Sequence, residues 1–318
     1  MRRFVAPVLG AIALFAASPA VSAEIPCSTA KLIVPWGAGG DTDVLFRAFV
    51  NAANEAGAKP QLQVVNIGGQ GGNKGAKEAK AAAADGCTLF AIHQSAITSY
   101  FNGRVDFAWD AFEPVTLLTR TPAIIGANPG TPYKDAKEMV EAAKKAPGTI
   151  TAGGTAGSTS HFIFLILEDA AGIKLKHVPY EGTRERMTAL LAKNIELGEI
   201  NLAAAQKYIT TNELKALGIA SDARDPSLPD VPTLKEQGID MIFATDRGVV
   251  APKGTPKEVI AHYDALFQKA AKDPKLLESM KVGGTQVMAY GPDKYKAYMD
   301  DIFARWKKVA EAVGMLKR

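Results

Sequence analysis

The stretch Leu32-Ile33-Val34-Pro35-Trp36-Gly37-Ala38-Gly39-Gly40-Asp41-Thr42-Asp43 decides the fold. Its opening, Leu32 to Trp36, is apolar and strand-like, three glycines follow among four residues, and from Val44 to Ala56 apolar residues recur at helical spacing. Strand, glycine loop and helix in that order form an α/β unit whose functional loop lies at the carboxyl end of the strand. Glycines let backbone N–H groups meet a ligand with no Cβ in the way, and the helix N-terminus behind them carries partial positive charge. The loop therefore suits an anion. Thr42 or Asp43 can equally serve as a plain helix cap.

The same grammar continues outward. Leu62 to Asn66 and Thr88 to His93 read as further strands, with an Ala-rich helix from Lys74 to Ala84 between them. Glu113 to Asn128 is a long extended run that leaves this first unit for a second. There, helices over 135–146, 159–171 and 183–193 alternate with strands over 149–153 and 177–179 and the runs 196–203 and 216–221. A Pro/Asp-rich break over 225–232 precedes Gly248 to Ala251, read as a strand crossing back, and the remainder to Val313 is helical. Two α/β lobes joined by two crossing strands make a hinged clamshell, and such folds bind small ligands in the cleft. The expected lobes are 24–122 plus 248–318 and, between them, 123–247.

Further loops extend the candidate site. Gly68-Gly69-Gln70-Gly71-Gly72-Asn73 follows the second strand and opens a helix, and Gln94-Ser95 follow the third. In the second lobe, Gly153-Gly154-Thr155-Ala156-Gly157-Ser158-Thr159-Ser160-His161 joins strand to helix and is dense in hydroxyl donors suited to a carboxylate. Arg247, at the return crossing, can clamp a carboxylate bidentately or pair with Asp246 or another surface acid. No Gly-Lys-Ser/Thr follows either glycine loop, the Gly37-x-Gly39 spacing ends in Thr42 rather than Gly or Ala, and Ser158 is followed by Thr159 and Ser160 with no Gly where a nucleophile elbow requires one. His93, His161, His177 and His262 are scattered without metal spacing, so neither a metal, a cofactor nor catalysis is expected.

Arg2 and Arg3, the apolar run Phe4 to Ala17, and Val21-Ser22-Ala23 have the layout of a signal peptide over 1–23 cut after Ala23. Lys plus Arg is 37 against 33 for Asp plus Glu; without Arg2 and Arg3 the balance is 35 against 33, or +2, which gives no electrostatic case for nucleic acid. At 318 residues two domains are the first expectation. Cys27 and Cys87 each precede a strand. If those strands are neighbours in a 2-1-3 order, a disulfide is geometrically plausible in an oxidising compartment; two separate thiols are the alternative.

These residues together resemble the substrate-binding proteins of tripartite tricarboxylate transporters, the Bug family. The likeness rests on Ile33-Val34-Pro35-Trp36 with Gly39-Gly40-Asp41-Thr42-Asp43, on Gly71-Gly72-Asn73 and on Asp85-Gly86-Cys87-Thr88-Leu89. It continues in Pro147-Gly148, His177-Val178-Pro179-Tyr180-Glu181-Gly182, Leu228-Pro229-Asp230-Val231-Pro232-Thr233-Leu234, Ala251-Pro252 and Gly254-Thr255-Pro256. The resemblance implies a two-lobed periplasmic-binding-protein (Venus flytrap) fold, each lobe a mostly parallel sheet flanked by helices. It also implies a small carboxylate, di- or tricarboxylate or aromatic, held often through ordered water and passed to membrane transporter subunits in the periplasm. The expected ligand-binding set is Trp36, Gly39, Gly40, Asp41, Thr42, Asp43, Gly72, Asn73, Gln94, Ser95, Thr155, Ser158, Thr159, Ser160 and Arg247, in a monomer. Asp41 stands where the family usually has a third Gly, and a carboxylate beside an anion site is repulsive unless it points away or pairs with a cation. Cys87 replaces a frequent Tyr, and Arg247-Gly248 stands near a position that is often Trp-x-Gly. A secreted α/β enzyme acting on a small anion, or a ligand sensor for a membrane kinase, are the alternative functions.

Overall fold

The computed structural model describes residues 24–312 and 314–317; the expected signal peptide over 1–23 lies outside them. Three strands open the chain, β1 (Thr29–Val34), β2 (Gln61–Asn66) and β3 (Thr88–His93), paired in parallel in the order β2-β1-β3. Helices α1 (Asp41–Glu55) and α2 (Asn73–Ala81) connect them, and α3 (Ser95–Phe101) follows. α1 buries Leu45, Phe46, Phe49, Val50 and Ala53, which recur at helical spacing, so the periodicity that predicts the helix also fixes its core face. All but the first residue of β3 are buried, as a strand covered on both faces requires.

β4 (Phe112–Pro122) then runs through the first sheet, and past Ala123 the chain continues as β5 (Ile124–Ala127) in a second sheet. The second lobe adds α4 (Ala136–Lys145), β6 (Thr151–Gly154), α5 (Thr159–Ala171), β7 (Lys176–Pro179), α6 (Thr183–Leu191), β8 (Leu197–Ile200), α7 (Leu202–Thr210) and β9 (Lys215–Ile219), with strand order β7-β6-β8-β5-β9. Asp135 caps α4 by accepting the Glu138 N–H, and α5 stops at Gly172, whose φ of 63° continues no right-handed helix. β10 (Ala244–Pro252) returns to the first sheet, followed by α8 (Lys257–Ala270), α9 (Pro274–Val282), β11 (Gln286–Tyr290) and α10 (Pro292–Ala312).

The sheets are mixed rather than mostly parallel. β10 runs antiparallel to both β3 and β4, β11 antiparallel to β4, and β5 antiparallel to both its neighbours. β4 leaves the first lobe and β10 returns to it, so side by side they must point opposite ways. The return strand also starts four residues before the expected Gly248. Cys27 and Cys87 are bonded with Cα atoms 5.9 Å apart, at the ends of neighbouring strands β1 and β3. One apolar core runs through both lobes: Trp306 of α10 packs between Phe162 of α5 and Phe243, with ring centroids 5.0 and 5.3 Å away. Among the described residues no helix is long and apolar enough to cross a membrane.

Candidate functional site

A cleft of about 600 Å³ lies between the lobes, within the size range of small-molecule sites. The first lobe lines it with Trp36, Gly40, Asp41 and Thr42 from the β1–α1 loop, with Gly69 and Gln70 after β2, and with His93 at the end of β3. Facing them from the second lobe are Thr155 and Ser158 to Ser160 after β6, Glu181 to Arg186 after β7, and Glu199 of β8.

Within the glycine loop the amides are partly used by the protein itself. Gly39 adopts φ +76° and donates its N–H to Asp43 Oδ2 at 2.8 Å. Asp43 also accepts from Arg47 Nε at 3.0 Å and from Asn66 Nδ2 at 2.8 Å, so it braces the loop from inside and does not line the cleft. Gly40 has an extended φ of −76° and precedes α1, which has no side-chain cap. The positively polarised first turn of α1 thus takes no side-chain cap from the loop before it and is met by acidic residues of its own.

Asp41, the first residue of α1, sets its own carboxylate in that turn. Its Oδ2 accepts from Arg247 Nη2 at 2.7 Å and from Asn201 Nδ2 of the other lobe at 2.6 Å. Burial pushes the Asp41 carboxyl up, but the Arg247 guanidinium, the Thr183 hydroxyl and Arg186 outweigh it and hold the group below the usual carboxylate range. A second buried pair lies alongside: Arg186 donates to Glu199 Oε2 at 2.6 Å and to the Glu199 carbonyl at 2.8 Å. Burial raises the Glu199 carboxyl despite that partner.

Arg247 is therefore already committed. It is buried, donates also to Thr42 Oγ1 at 3.1 Å and Thr121 Oγ1 at 3.0 Å, and does not reach the cleft surface. Nor does it pair with Asp246. Successive strand residues point to opposite faces, and Asp246 lies on the far side of β10 with Arg120 Nε at 2.7 Å and Gln94 Nε2 at 2.7 Å. This corrects the expectation for Gln94, whose buried amide serves that rear cluster. Gly72 and Asn73 do not line the cleft either: Gly72, at φ +92°, leaves room for the Trp36 indole, since a Cβ there would come 3.1 Å from the ring. Ser95 contributes its backbone N–H to His93 rather than a hydroxyl to the cleft.

Trp36, Gly40, Asp41, Thr42, Thr155, Ser158, Thr159 and Ser160 are the expected residues that the fold brings to the cleft. Ser160 Oγ accepts the Thr155 N–H at 2.9 Å and lies 3.1 Å from Ser158 Oγ, which fixes the hydroxyl-rich loop. Sequence reasoning missed His93 and the segment Glu181 to Arg186. His93 stacks on Trp36 at 5.3 Å with an 11° interplanar angle, and its Nδ1 accepts the Ser95 N–H at 3.2 Å. The proton therefore sits on Nε2, which meets no protein partner among the described residues. Burial and the neighbouring Arg247 lower the imidazole to about 3, so His93 is a neutral donor. Arg184 reaches from α6 across the mouth to donate to the Ala38 carbonyl at 2.9 Å. A further bridge runs from Thr98 Oγ1 to the Gly157 carbonyl at 2.8 Å. Among the described residues no cluster of three or more His, Cys, Asp or Glu is placed to hold a metal ion.

Two α/β lobes that meet across a polar cleft, with two strands crossing between them, define a solute-binding protein. The chain matches the tripartite tricarboxylate transporter family receptor (TctC) over residues 45–315, and it belongs to that family. It is 31% identical over 292 residues to the UPF0065 protein in the TAR-I ttuE-ttuC' intergenic region of Agrobacterium vitis, covering 90% of this chain and 84% of that one. Its fold is similar to that of the periplasmic binding protein BugD, with TM-score 0.84, 30% identity and coverage of 91% and 99% of the two chains. MatC from Rhodopseudomonas palustris, solved with bound malate, superposes with TM-score 0.83 at 26% identity, over 88% of this chain and 98% of that one.

Proposed function

We propose that this chain is an exported periplasmic receptor that captures a small carboxylate between its lobes and delivers it to the membrane subunits of a tripartite tricarboxylate-type transporter. It performs no chemistry on the ligand, and its hinge separates lobes 24–122 plus 248–318 and 123–247. The observation that carries this reading is the cleft itself. The neutral His93 imidazole of one lobe faces a loop of fixed hydroxyls and the guanidinium of Arg184 from the other across about 600 Å³. Donors converging from both lobes on one space suit an anion, and among the described lining residues they leave no nucleophile and base in a catalytic arrangement. The malate bound by MatC supports the ligand class. Calorimetry and equilibrium dialysis of the mature protein against small carboxylates test the reading. Saturable binding with the ligand recovered unchanged is expected, and deletion of the gene should abolish uptake of that acid. Turnover of the ligand would overturn it.

A further inference from the structure

The charges that line the cleft are not balanced for a multiply charged anion. Two of its acids are already answered from within: Asp41 by Arg247 at 2.7 Å and Glu199 by Arg186 at 2.6 Å. Asp41 also takes the Asn201 amide, so the positions at the floor that could receive a ligand carboxylate, a buried guanidinium and an amide beside a helix N-terminus, already hold one. Among the described lining residues, Arg184, Glu181 and Glu185 remain without an ion-pair partner: one cation against two acids. His93 is no second counter-ion, because burial and the adjacent Arg247 keep it neutral. Its free Nε2 proton suits an uncharged oxygen or shares one carboxylate with Arg184.

We propose that the cleft selects monocarboxylates: Arg184 receives the single carboxylate, and Asp41, holding Arg247 and Asn201, keeps a second one out. This rests on the carboxylate-receptor reading and narrows it. A first carboxylate entering the cleft meets Arg184 at the mouth and neutral donors on the walls. A second one must approach Asp41 at the floor or Glu181 and Glu185 at the rim, with every other cation of the lining already paired. At the floor, where Glu199 and Arg186 are buried and Asp41 is largely so, like charges disfavour one another far more than they do in solution.

Calorimetry of the mature protein at neutral pH with propionate, hexanoate, benzoate, malate, adipate and citrate tests this. At least one monocarboxylate is expected to bind about tenfold or more tighter than each of the three polycarboxylates. Equal or tighter binding of malate, adipate or citrate overturns the proposal. Binding of none of the six overturns the carboxylate-receptor reading beneath it. Asp41→Asn removes the internal carboxylate while keeping its shape, and the released Arg247 is expected to raise affinity for malate about tenfold. An unchanged malate affinity in a cooperatively melting variant overturns the role of Asp41. Should that variant not melt cooperatively, Glu185→Gln at the exposed rim decides. It is expected to raise malate affinity about twofold or more, and no gain overturns the exclusion by the lining acids.

Discussion

His93 is the residue at which burial, tautomer and charge are most tightly joined. The unfolded imidazole titrates near 6.5 and the folded one at about 3, so the unfolded state binds more protons between those values. The stability this confers is complete above about pH 6.5 and is lost as pH falls towards 3, with a slope of at most about 1.4 kcal/mol per pH unit. His161, lowered to about 4 by burial and by His177, acts in the same direction. Replacing His93 by Phe keeps a ring against Trp36 and removes the titration. Urea melts of His93→Phe between pH 4 and 7 should therefore show a shallower dependence than the parent, and an unaltered slope would remove His93 from the account. At the mouth, Arg184→Ala is expected to weaken binding of the preferred carboxylate about tenfold, the size of one charged hydrogen bond, when read by calorimetry.

At the scale of elements, the loop from β1 to α1 was legible because three glycines between a strand and a helix leave little else to build. The segment from Glu181 to Arg186 was not, although it obeys the same geometric rule. It lies just past the carboxyl end of β7, as His93 lies at that of β3, and strand ends in α/β sheets gather at the cleft. A mixed run of Glu and Arg at the start of a helix reads from sequence as a solvated face, and only the second lobe's position shows where α6 points. The antiparallel neighbours of β10 were hidden for a related reason, since strand direction follows from the path between lobes and not from local periodicity. Cys27 and Cys87 were readable through strand order, and their bond ties the starts of β1 and β3 across 60 residues of sequence. On the chain-entropy estimate, closing such a loop restricts the unfolded chain by about 4 kcal/mol. The double substitution Cys27→Ser, Cys87→Ser should lower unfolding free energy by that order in urea titration, and a loss below about 1 kcal/mol would contradict the estimate.

Across the whole molecule, the lobes share one apolar core behind the cleft. Trp306 of α10, in the first lobe, is 8% exposed between Phe162 and Phe243. Removing a buried Trp side chain costs about 3 to 5 kcal/mol where the site cannot collapse. Trp306→Ala is expected to destabilise the protein by that order in a single cooperative transition, with a wider distribution of lobe separations in small-angle scattering. Two separate transitions in the parent protein would show that the lobes melt independently.

The Trp306 stack has a mechanical consequence. An aromatic contact holds its surfaces together without directional bonds, so it can rotate through a small angle with no step at which a bond must break. Around the cleft the lobes meet instead through directional bonds, Arg184 to the Ala38 carbonyl and Asn201 Nδ2 to Asp41 Oδ2. Turning one lobe against the other would break those bonds while leaving the apolar contact intact, so the polar bridges latch what the aromatic stack leaves free to turn.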